Sequence, residues 1–100
     1  LLEAKKVHDL CLARDIPVWC GGMHEYGIGR AANVAISSLP GFVLPGDVSG
    51  SDKYYAEDLV SPAILATKGA IAVPDGVGLG YAADEERIRR NTVRTLSLTA

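Results

Sequence analysis

The order of predicted elements indicates an α/β protein built on a parallel sheet. Within the first 48 residues, two helical patterns alternate with two short apolar runs that have the character of strands. Both runs are apolar at every position, which is typical of parallel strands covered by helices on both faces. After residue 48 the pattern changes to short extended segments separated by turns. We therefore predict an α/β unit over residues 1–48 and a β-rich tail over residues 49–100.

The first predicted helix runs from Leu1 to Arg14. Apolar residues recur on one face of it, at Leu2, Val7, Leu10 and Cys11. Pro17 should end it, because the residue before a proline is disfavoured in helical geometry. His8 is a lone histidine, for which a packing or surface role is more common than ligand binding. The chain starts inside this pattern without a cap, so we expect a piece of a longer polypeptide.

A glycine-rich turn separates the first strand from the second helix. The apolar run Val18–Cys20 predicts the strand, and Gly29–Ser38 predicts the helix. Polar side chains occupy the turn: His24, Glu25 and Tyr26. Parallel α/β proteins carry their chemistry at such turns, where strand ends meet helix N-termini. The alternative is a tight connection with solvated polar residues.

The second strand is predicted at Phe42–Leu44, after a break at Pro40-Gly41. Asp47 lies just beyond this strand, as Glu25 does beyond the first, so both should lie at the same edge of the sheet. They could act in acid–base chemistry or bind a hard cation, although two carboxylates do not complete an oxygen site. Asp47 could equally cap a turn.

The tail is predicted to contain three extended segments and one helix. The extended segments are Asp58–Val60, Ala70–Val73 and Thr92–Leu98. The helix is Asp84–Arg90, whose acidic residues come first and basic residues last, as the helix dipole favours. Tyr54 and Tyr55 lie in the loop before these elements, where they could flank a ligand or cover the edge of the core.

Composition excludes several classes of protein. One hundred residues make one domain at most. A net charge of −2 without a Lys/Arg cluster gives no basis for binding nucleic acid or an anionic membrane. The apolar runs are shorter than the ~20 residues that span a bilayer. Cys11 and Cys20 are too few for a disulfide framework, so we expect reduced, largely buried thiols in a cytoplasmic protein.

Common site motifs are weakly represented. Gly27–Ala32 matches the dinucleotide pattern G-x-G-x-x-A, and Asp47 follows 20 residues after Gly27. However, the first glycine of this pattern should follow the strand directly, whereas residues 23–26 intervene before Gly27. Pro45-Gly46 also precedes the acid, so this match is discounted. The histidines and cysteines lack the paired spacing of zinc ligands. A Cys–His nucleophile is not indicated either, since a cysteine at a strand end is more often part of the core.

The glycine-rich turn and the segments after it carry a more specific signal. The matching stretches, in order, are Val18–Met23, Glu25, Gly27–Ala35, Ser38–Phe42, Leu44–Asp47, Ser51-Asp52, Tyr54-Tyr55, Ile71–Pro74 and Gly76–Gly80. With these residues the chain closely resembles the o-succinylbenzoate synthase / N-acylamino-acid racemase family of the enolase superfamily. The resemblance covers nearly all of the chain.

This resemblance implies the C-terminal part of a (β/α) TIM-like barrel. The chain would supply the last two strands and helices, with the seventh strand at Val18 and the eighth at Phe42. Its tail would pack on the N-terminal capping domain of the family. The implied chemistry abstracts a proton α to a carboxylate and forms a metal-stabilised enediolate. Loss of water then gives o-succinylbenzoate for menaquinone biosynthesis, whereas reprotonation racemises an N-acylamino acid.

In such an enzyme the catalytic lysines and the Mg²⁺ ligands lie on earlier strands, upstream of this chain. Lys53 and Lys68 do not match the lysine positions, so we expect no catalytic or metal-binding residue here and no activity of the segment alone. The resemblance also implies a small-molecule carboxylate substrate, and we expect a homo-oligomer.

The residues of this chain that match the family's pocket are Gly21, Gly22, Met23, Glu25 and Tyr54. The first three would meet the acyl or succinyl part of the substrate. Glu25 would form a hydrogen bond near the reacting centre, and Tyr54 would line the pocket from the eighth-strand loop. Two residues depart from the family: His24 replaces an aliphatic residue, and Tyr26 replaces a small Thr or Ser.

The sequence is consistent with three functions. A synthase is the leading hypothesis, and this region does not separate it from an N-acylamino-acid racemase. The third is a non-catalytic truncated fragment, because a closed barrel takes ~250 residues and two strands leave unpaired edges. A dinucleotide-binding module ranks behind all three.

Overall fold

Three α-helices and two short strands make up the regular structure. The computed structural model describes residues 1–98. Its elements are α1 (Leu2–Leu12), α2 (Gly27–Ser37), a 3₁₀ turn (Ser51–Lys53), β1 (Val60–Ser61), β2 (Ala82–Ala83) and α3 (Glu85–Asn91). Strands β1 and β2 are antiparallel, with Val60 opposite Ala83. None of the helices within the described range is long and apolar enough to cross a membrane.

Helix α1 ends in a turn stabilised by backbone hydrogen bonds. Asp15 adopts a left-handed conformation (φ 54°), its N–H donates to Leu12, and the N–H of Ile16 donates to Cys11 at 3.0 Å. This pair of bonds is a Schellman motif, which satisfies the last carbonyls of a helix. These bonds end the helix at Leu12, several residues before Pro17, which was predicted to end it.

His8 anchors α1 to the rest of the chain, which confirms the packing interpretation of this residue. Its ring is buried, with 3% exposed, and its Nε2 accepts the N–H of Gly41 at 2.9 Å. This bond leaves the ring proton on Nδ1, which lies 2.9 Å from a carboxylate oxygen of Asp9. The ring also stacks on Phe42, with centroids 5.6 Å apart.

The two segments predicted as strands in the first half run parallel, but the prediction of regular strands at Val18–Cys20 and Phe42–Leu44 is wrong. The N–H of Val18 donates to Gly41 at 3.0 Å, and the carbonyl of Val18 accepts from Leu44 at 3.3 Å. A regular parallel ladder would pair that carbonyl with residue 43, so one extra residue interrupts the register. The segments are therefore extended and hydrogen-bonded without forming strands.

Helix α2 supplies one side of the core and the tail supplies the other. Ala31 and Val34 of α2 are buried against Val60 and Ile64 of the tail. Further apolar side chains pack around them: Val48 at the end of the first unit, and Ile71, Leu79 and Tyr81 of the tail. The tail thus packs directly on α2, and the proposed boundary at residue 48 stays a prediction.

The predictions for the tail have mixed outcomes. The helix predicted at Asp84–Arg90 is confirmed as α3, and Asp84 caps it by accepting the N–H of Arg87 at 3.0 Å. The segment Asp58–Val60 overlaps β1 only at its last residue. The strands predicted at Ala70–Val73 and Thr92–Leu98 are wrong: Ala70 makes a single bridge to Thr67 across a two-residue turn, and residues 92–98 are irregular and exposed.

Candidate functional site

The loop between Cys20 and α2 is the candidate site, and its glycines differ in environment. Gly21 and Met23 are exposed, with 65% of Met23 accessible, whereas Gly22 is buried. A Cβ on Gly22 would lie 3.1 Å from the carbonyl oxygen of Asp47 and 3.3 Å from Oε2 of Glu25. Glycine is therefore needed for the close approach of the two loops. The carboxylate of Glu25 and the backbone of Asp47 thus both lie beside Gly22, and their place at one edge of a regular sheet stays a prediction.

Glu25 is held in place through one side-chain oxygen and its own carbonyl. Its Oε1 accepts a hydrogen bond from Nδ2 of Asn33 at 3.1 Å. Its backbone carbonyl accepts one from Nη2 of Arg30 at 2.5 Å. The second carboxylate oxygen, Oε2, is buried and has no hydrogen-bond partner within residues 1–98. Glu25 thus keeps an acceptor available for a group that is not part of this segment.

Arg30 connects α2 to both loops, and this role was missed at the level of the sequence. Its side chain is completely buried and donates to the carbonyls of Ser49 and Glu25. The guanidinium carbon also lies 5.9 Å from the centre of the Tyr54 ring, within the range of a cation–π contact. The spacing along the helix could have revealed this role. Arg30 lies three residues after Gly27 and four before Val34, so it shares the buried face of the helix with them.

Four aromatic rings join the two loops. The rings of Tyr26 and Tyr55 stack with centroids 3.9 Å apart and planes 16° apart. The Tyr55 hydroxyl donates to the carbonyl of His24, and the ring of His24 meets Tyr54 edge-on at 4.8 Å. Tyr54 is half-buried and its ring lies beside His24 of the candidate loop, while its place in a substrate pocket stays a prediction.

Asp58 is a second residue that sequence reasoning missed, since it was assigned only to an extended segment. It is buried, with 4% exposed, and its Oδ1 accepts the N–H of Gly27 at 2.7 Å, at the N-terminus of α2. Burial by itself raises the pKa of Asp58. Hydrogen bonds from Ser51, Gly27 and Leu59 lower the pKa by more than burial raises it, so the net pKa is below its ordinary value. The folded chain therefore holds Asp58 as a carboxylate.

The described part of the chain does not assemble a metal centre. No group of three His, Cys, Asp or Glu side chains within residues 1–98 is close enough to hold an ion. Cys11 and Cys20 are free thiols, as predicted, but each is only partly buried. Lys53 lies against the Tyr54 ring, with its Nζ 5.3 Å from the ring centre, and Lys68 lies in a tight turn.

The chain matches a known class of domain in sequence and in fold. Residues 1–87 match the family model described as enolase C-terminal domain-like, and the chain belongs to this family of the enolase superfamily. A solved structure of an enolase-superfamily protein from Listeria innocua superposes with a TM-score of 0.83 at 40% identity. That match covers 90% of this chain and 24% of the other.

Two curated relatives narrow the comparison. The chain is 59% identical over 81 residues to an N-succinylamino acid racemase from Amycolatopsis, a match that covers 81% of this chain and 22% of the racemase. It is 48% identical over 92 residues to an o-succinylbenzoate synthase from Geobacillus kaustophilus, covering 92% of this chain and 24% of the synthase. The chain therefore spans about a quarter of the length of these relatives. The predicted resemblance to the synthase/racemase family is confirmed.

Proposed function

We propose that this chain forms the C-terminal quarter of an o-succinylbenzoate synthase. The complete enzyme would abstract a proton α to a carboxylate and then eliminate water by syn dehydration, a lyase reaction of menaquinone biosynthesis. The observation that carries the proposal is the match to curated synthases over 90% or more of this chain, in three of them at 48–49% identity. The enzyme would act in the cytoplasm as a homo-oligomer on a small-molecule carboxylate.

Exposed apolar side chains support a place inside a larger barrel. On α1, Leu2 is 79% exposed and Leu10 is 55% exposed, while Trp19 and Val43 on the two parallel segments are 56% and 67% exposed. Side chains of this kind are ordinarily covered in a folded protein, and contiguous exposed patches mark interaction surfaces. The preceding strands and helices of a (β/α) barrel would cover them and would also complete the sheet. The tail would then extend toward the capping domain.

Within that enzyme the chain would supply part of the pocket wall. Gly21, Gly22 and Met23 would meet the succinyl part of the substrate, with Tyr54 beside them. Glu25 would offer its unpartnered Oε2 to a donor near the reacting centre. The residues described here do not form a Mg²⁺ site, so the metal ligands and the proton-transfer lysines would come from the preceding strands.

An N-acylamino-acid racemase is the second candidate, and one observation favours it. Identity to the Amycolatopsis racemase is 59%, compared with 48% to the Geobacillus kaustophilus synthase. Both reactions begin with the same proton abstraction, and they differ in whether water leaves or the proton returns. A third candidate is a truncated product without catalysis.

The mass of the natural polypeptide is the first experiment. Intact mass spectrometry should give about 40 kDa, as expected for a barrel of ~250 residues with a capping domain. A mass near the 10.5 kDa of this chain would contradict the enzyme proposal and favour the truncated product. If the larger mass is found, assays with the synthase substrate and with an N-succinylamino acid separate the first two candidates. Turnover of neither substrate would refute both.

A further inference from the structure

The tip of the candidate loop is held by side chains. Among the residues that the structure describes, no backbone-to-backbone hydrogen bond joins residues 21–25 to another segment. The base of the loop is fixed by Arg30, which donates to the carbonyl of Glu25, and by the bond from Gly27 to Asp58. At His24, the contacts with residues outside the loop come from Tyr54 and Tyr55, which lie 30 and 31 residues further along the chain.

The backbone at this tip adopts a conformation that needs support. His24 has a φ of 51°, in the left-handed region that only a few per cent of non-glycine residues occupy. Such residues persist where the surrounding structure holds them. Here Tyr55 donates its hydroxyl to the carbonyl of His24, and the ring of Tyr54 meets the His24 ring edge-on. Tyr26 follows His24 by two residues, and its ring stacks on the ring of Tyr55.

We propose that Tyr26 and Tyr55 are specificity-determining positioning residues, whose stack and hydroxyl bond set the position of Met23 and so the size of the acyl pocket. We refer to these two tyrosines as the tyrosine clamp. Met23 directly precedes His24 and projects from the loop with 65% of its surface exposed. The proposal rests on the proposed function, since it assigns the loop to the wall that meets the acyl group. In this proposal both tyrosines act through the backbone of residues 22–24, since the Tyr55 hydroxyl donates to the carbonyl of His24.

The clamp predicts a particular pattern of kinetic effects. A loosened loop would bind the acyl group less well in the ground state and in the transition state alike, which raises KM and leaves kcat nearly unchanged. The free energy of one aromatic pair changes an equilibrium constant by about twofold to tenfold. The ratio of kcat/KM between a long and a short acyl group should fall by a similar factor, because only the long group reaches Met23.

The test uses the complete natural polypeptide with Tyr26→Ser and Tyr55→Phe. Tyr55→Phe removes one hydroxyl and keeps the ring, so it preserves the fold if Tyr26→Ser does not. Tyr81→Phe is the matched control, because Tyr81 packs against the core cluster and lies outside the candidate loop. Two readouts are measured for each variant: hydrogen–deuterium exchange of the peptide 21–27, and KM and kcat with N-succinyl- and N-acetylamino acids.

We expect faster exchange of peptide 21–27 in both clamp variants and unchanged exchange in the control. We also expect KM for the N-succinyl substrate to rise about twofold to tenfold, with the N-succinyl/N-acetyl preference falling in parallel. Unchanged exchange would overturn the clamp itself. Faster exchange with an unchanged acyl preference would overturn its role in specificity. Absence of turnover in the unmodified polypeptide would instead refute the proposed function, and the exchange data would then decide the clamp alone.

Discussion

At the scale of single residues, Asp58 joins the two halves of the chain. Its carboxylate accepts hydrogen bonds from Ser51 and from the backbone N–H groups of Gly27 and Leu59. The bond to Gly27 also places a negative charge at the N-terminus of α2, where the helix dipole stabilises anions. A single buried side chain thereby connects α2, the 3₁₀ turn and β1.

We predict that Asp58→Asn destabilises the protein by about 1–3 kcal/mol at neutral pH, because the amide replaces a charged acceptor with one that satisfies fewer donors. The effect should depend on pH. The pKa of Asp58 in the folded state lies below its ordinary value of 3.8, so its stabilisation is present above that pH and is lost as the pH falls through the folded-state pKa. Urea denaturation between pH 3 and pH 7 measures this.

Asp75→Asn is the control for this prediction, because Asp75 is exposed and lies outside the helices and strands. The difference in urea midpoint between the parent protein and Asp58→Asn should shrink toward acid pH, whereas Asp75→Asn should stay close to the parent throughout. A difference that is constant with pH would show that the charge of Asp58 contributes nothing.

Gly27 and Gly29 occupy the same turn of α2 but should respond differently to alanine. A Cβ on Gly27 would overlap Cγ2 of Val60 and lie 2.6 Å from Oδ2 of Asp58, whereas a Cβ on Gly29 would meet only the flexible side chain of Glu25, at 3.2 Å. We predict a loss of about 1–3 kcal/mol for Gly27→Ala, as in overpacked cores. Gly29→Ala should change stability by less than about 1 kcal/mol, since helix propensity favours alanine. Equal thermal shifts for the two variants would contradict this account.

At the scale of elements, each helix has a terminus that is stabilised by a different kind of hydrogen bond. Helix α1 ends in the Schellman motif at Asp15, and α2 begins where Asp58 accepts the N–H of Gly27. Helix α3 has its own cap in Asp84, with Glu85 and Glu86 in its first turn and Arg89 and Arg90 in its last. Only α3 therefore carries both its cap and its charge pattern within one short stretch of sequence.

We predict that Asp84→Ala weakens α3 by about 1 kcal/mol, because the N–H of Arg87 loses its acceptor. Hydrogen–deuterium exchange of the peptide 85–91 should become faster, with little change in α1 and α2. Asp84→Asn retains a capping oxygen and serves as the control. If both variants exchange at the parental rate, the cap does not stabilise this helix.

At the scale of the whole molecule, the core is asymmetric. Apolar side chains of α2 pack against the tail, whereas α1 and the two parallel segments present large apolar side chains to solvent. The described residues also lack a cluster of metal ligands. The exposed apolar side chains support the proposal that other parts of a barrel complete this unit.

We predict that the isolated 100-residue chain neither binds Mg²⁺ specifically nor turns over either substrate. Isothermal titration with Mg²⁺ tests the first part, and assays with the synthase and racemase substrates test the second. If the proposed function is right, adding the part of the complete enzyme that precedes this chain should restore activity, because the proposal places the proton-transfer lysines and the metal ligands there. Tight binding of Mg²⁺ by the isolated chain would refute this prediction.

Local patterns in the sequence were sufficient to predict the helices. The apolar face of α1, the glycine turn before α2 and the charge order of α3 each act within a few residues, so all three helices were predicted with small errors at their ends. The position of Tyr54 beside the loop of Gly22 and Glu25 came from the resemblance, and the structure brings these residues together. Strands were predicted less well, because a strand needs a partner in register. The hydrogen bond expected at residue 43 is made by residue 44, and Thr92–Leu98 pairs with no strand within residues 1–98.

The sequence by itself therefore determined the α/β class, the family and the three helices, since these depend on periodicity and on motifs that are read locally. Only the tertiary structure decided the roles of Arg30 and Asp58, the burial of Gly22 and the stacking of Tyr26 on Tyr55. Each of these roles depends on groups that lie 19 to 31 residues apart in the chain. Their contacts arise from the packing of the tail on α2, which the spacing of residues in the sequence does not reveal.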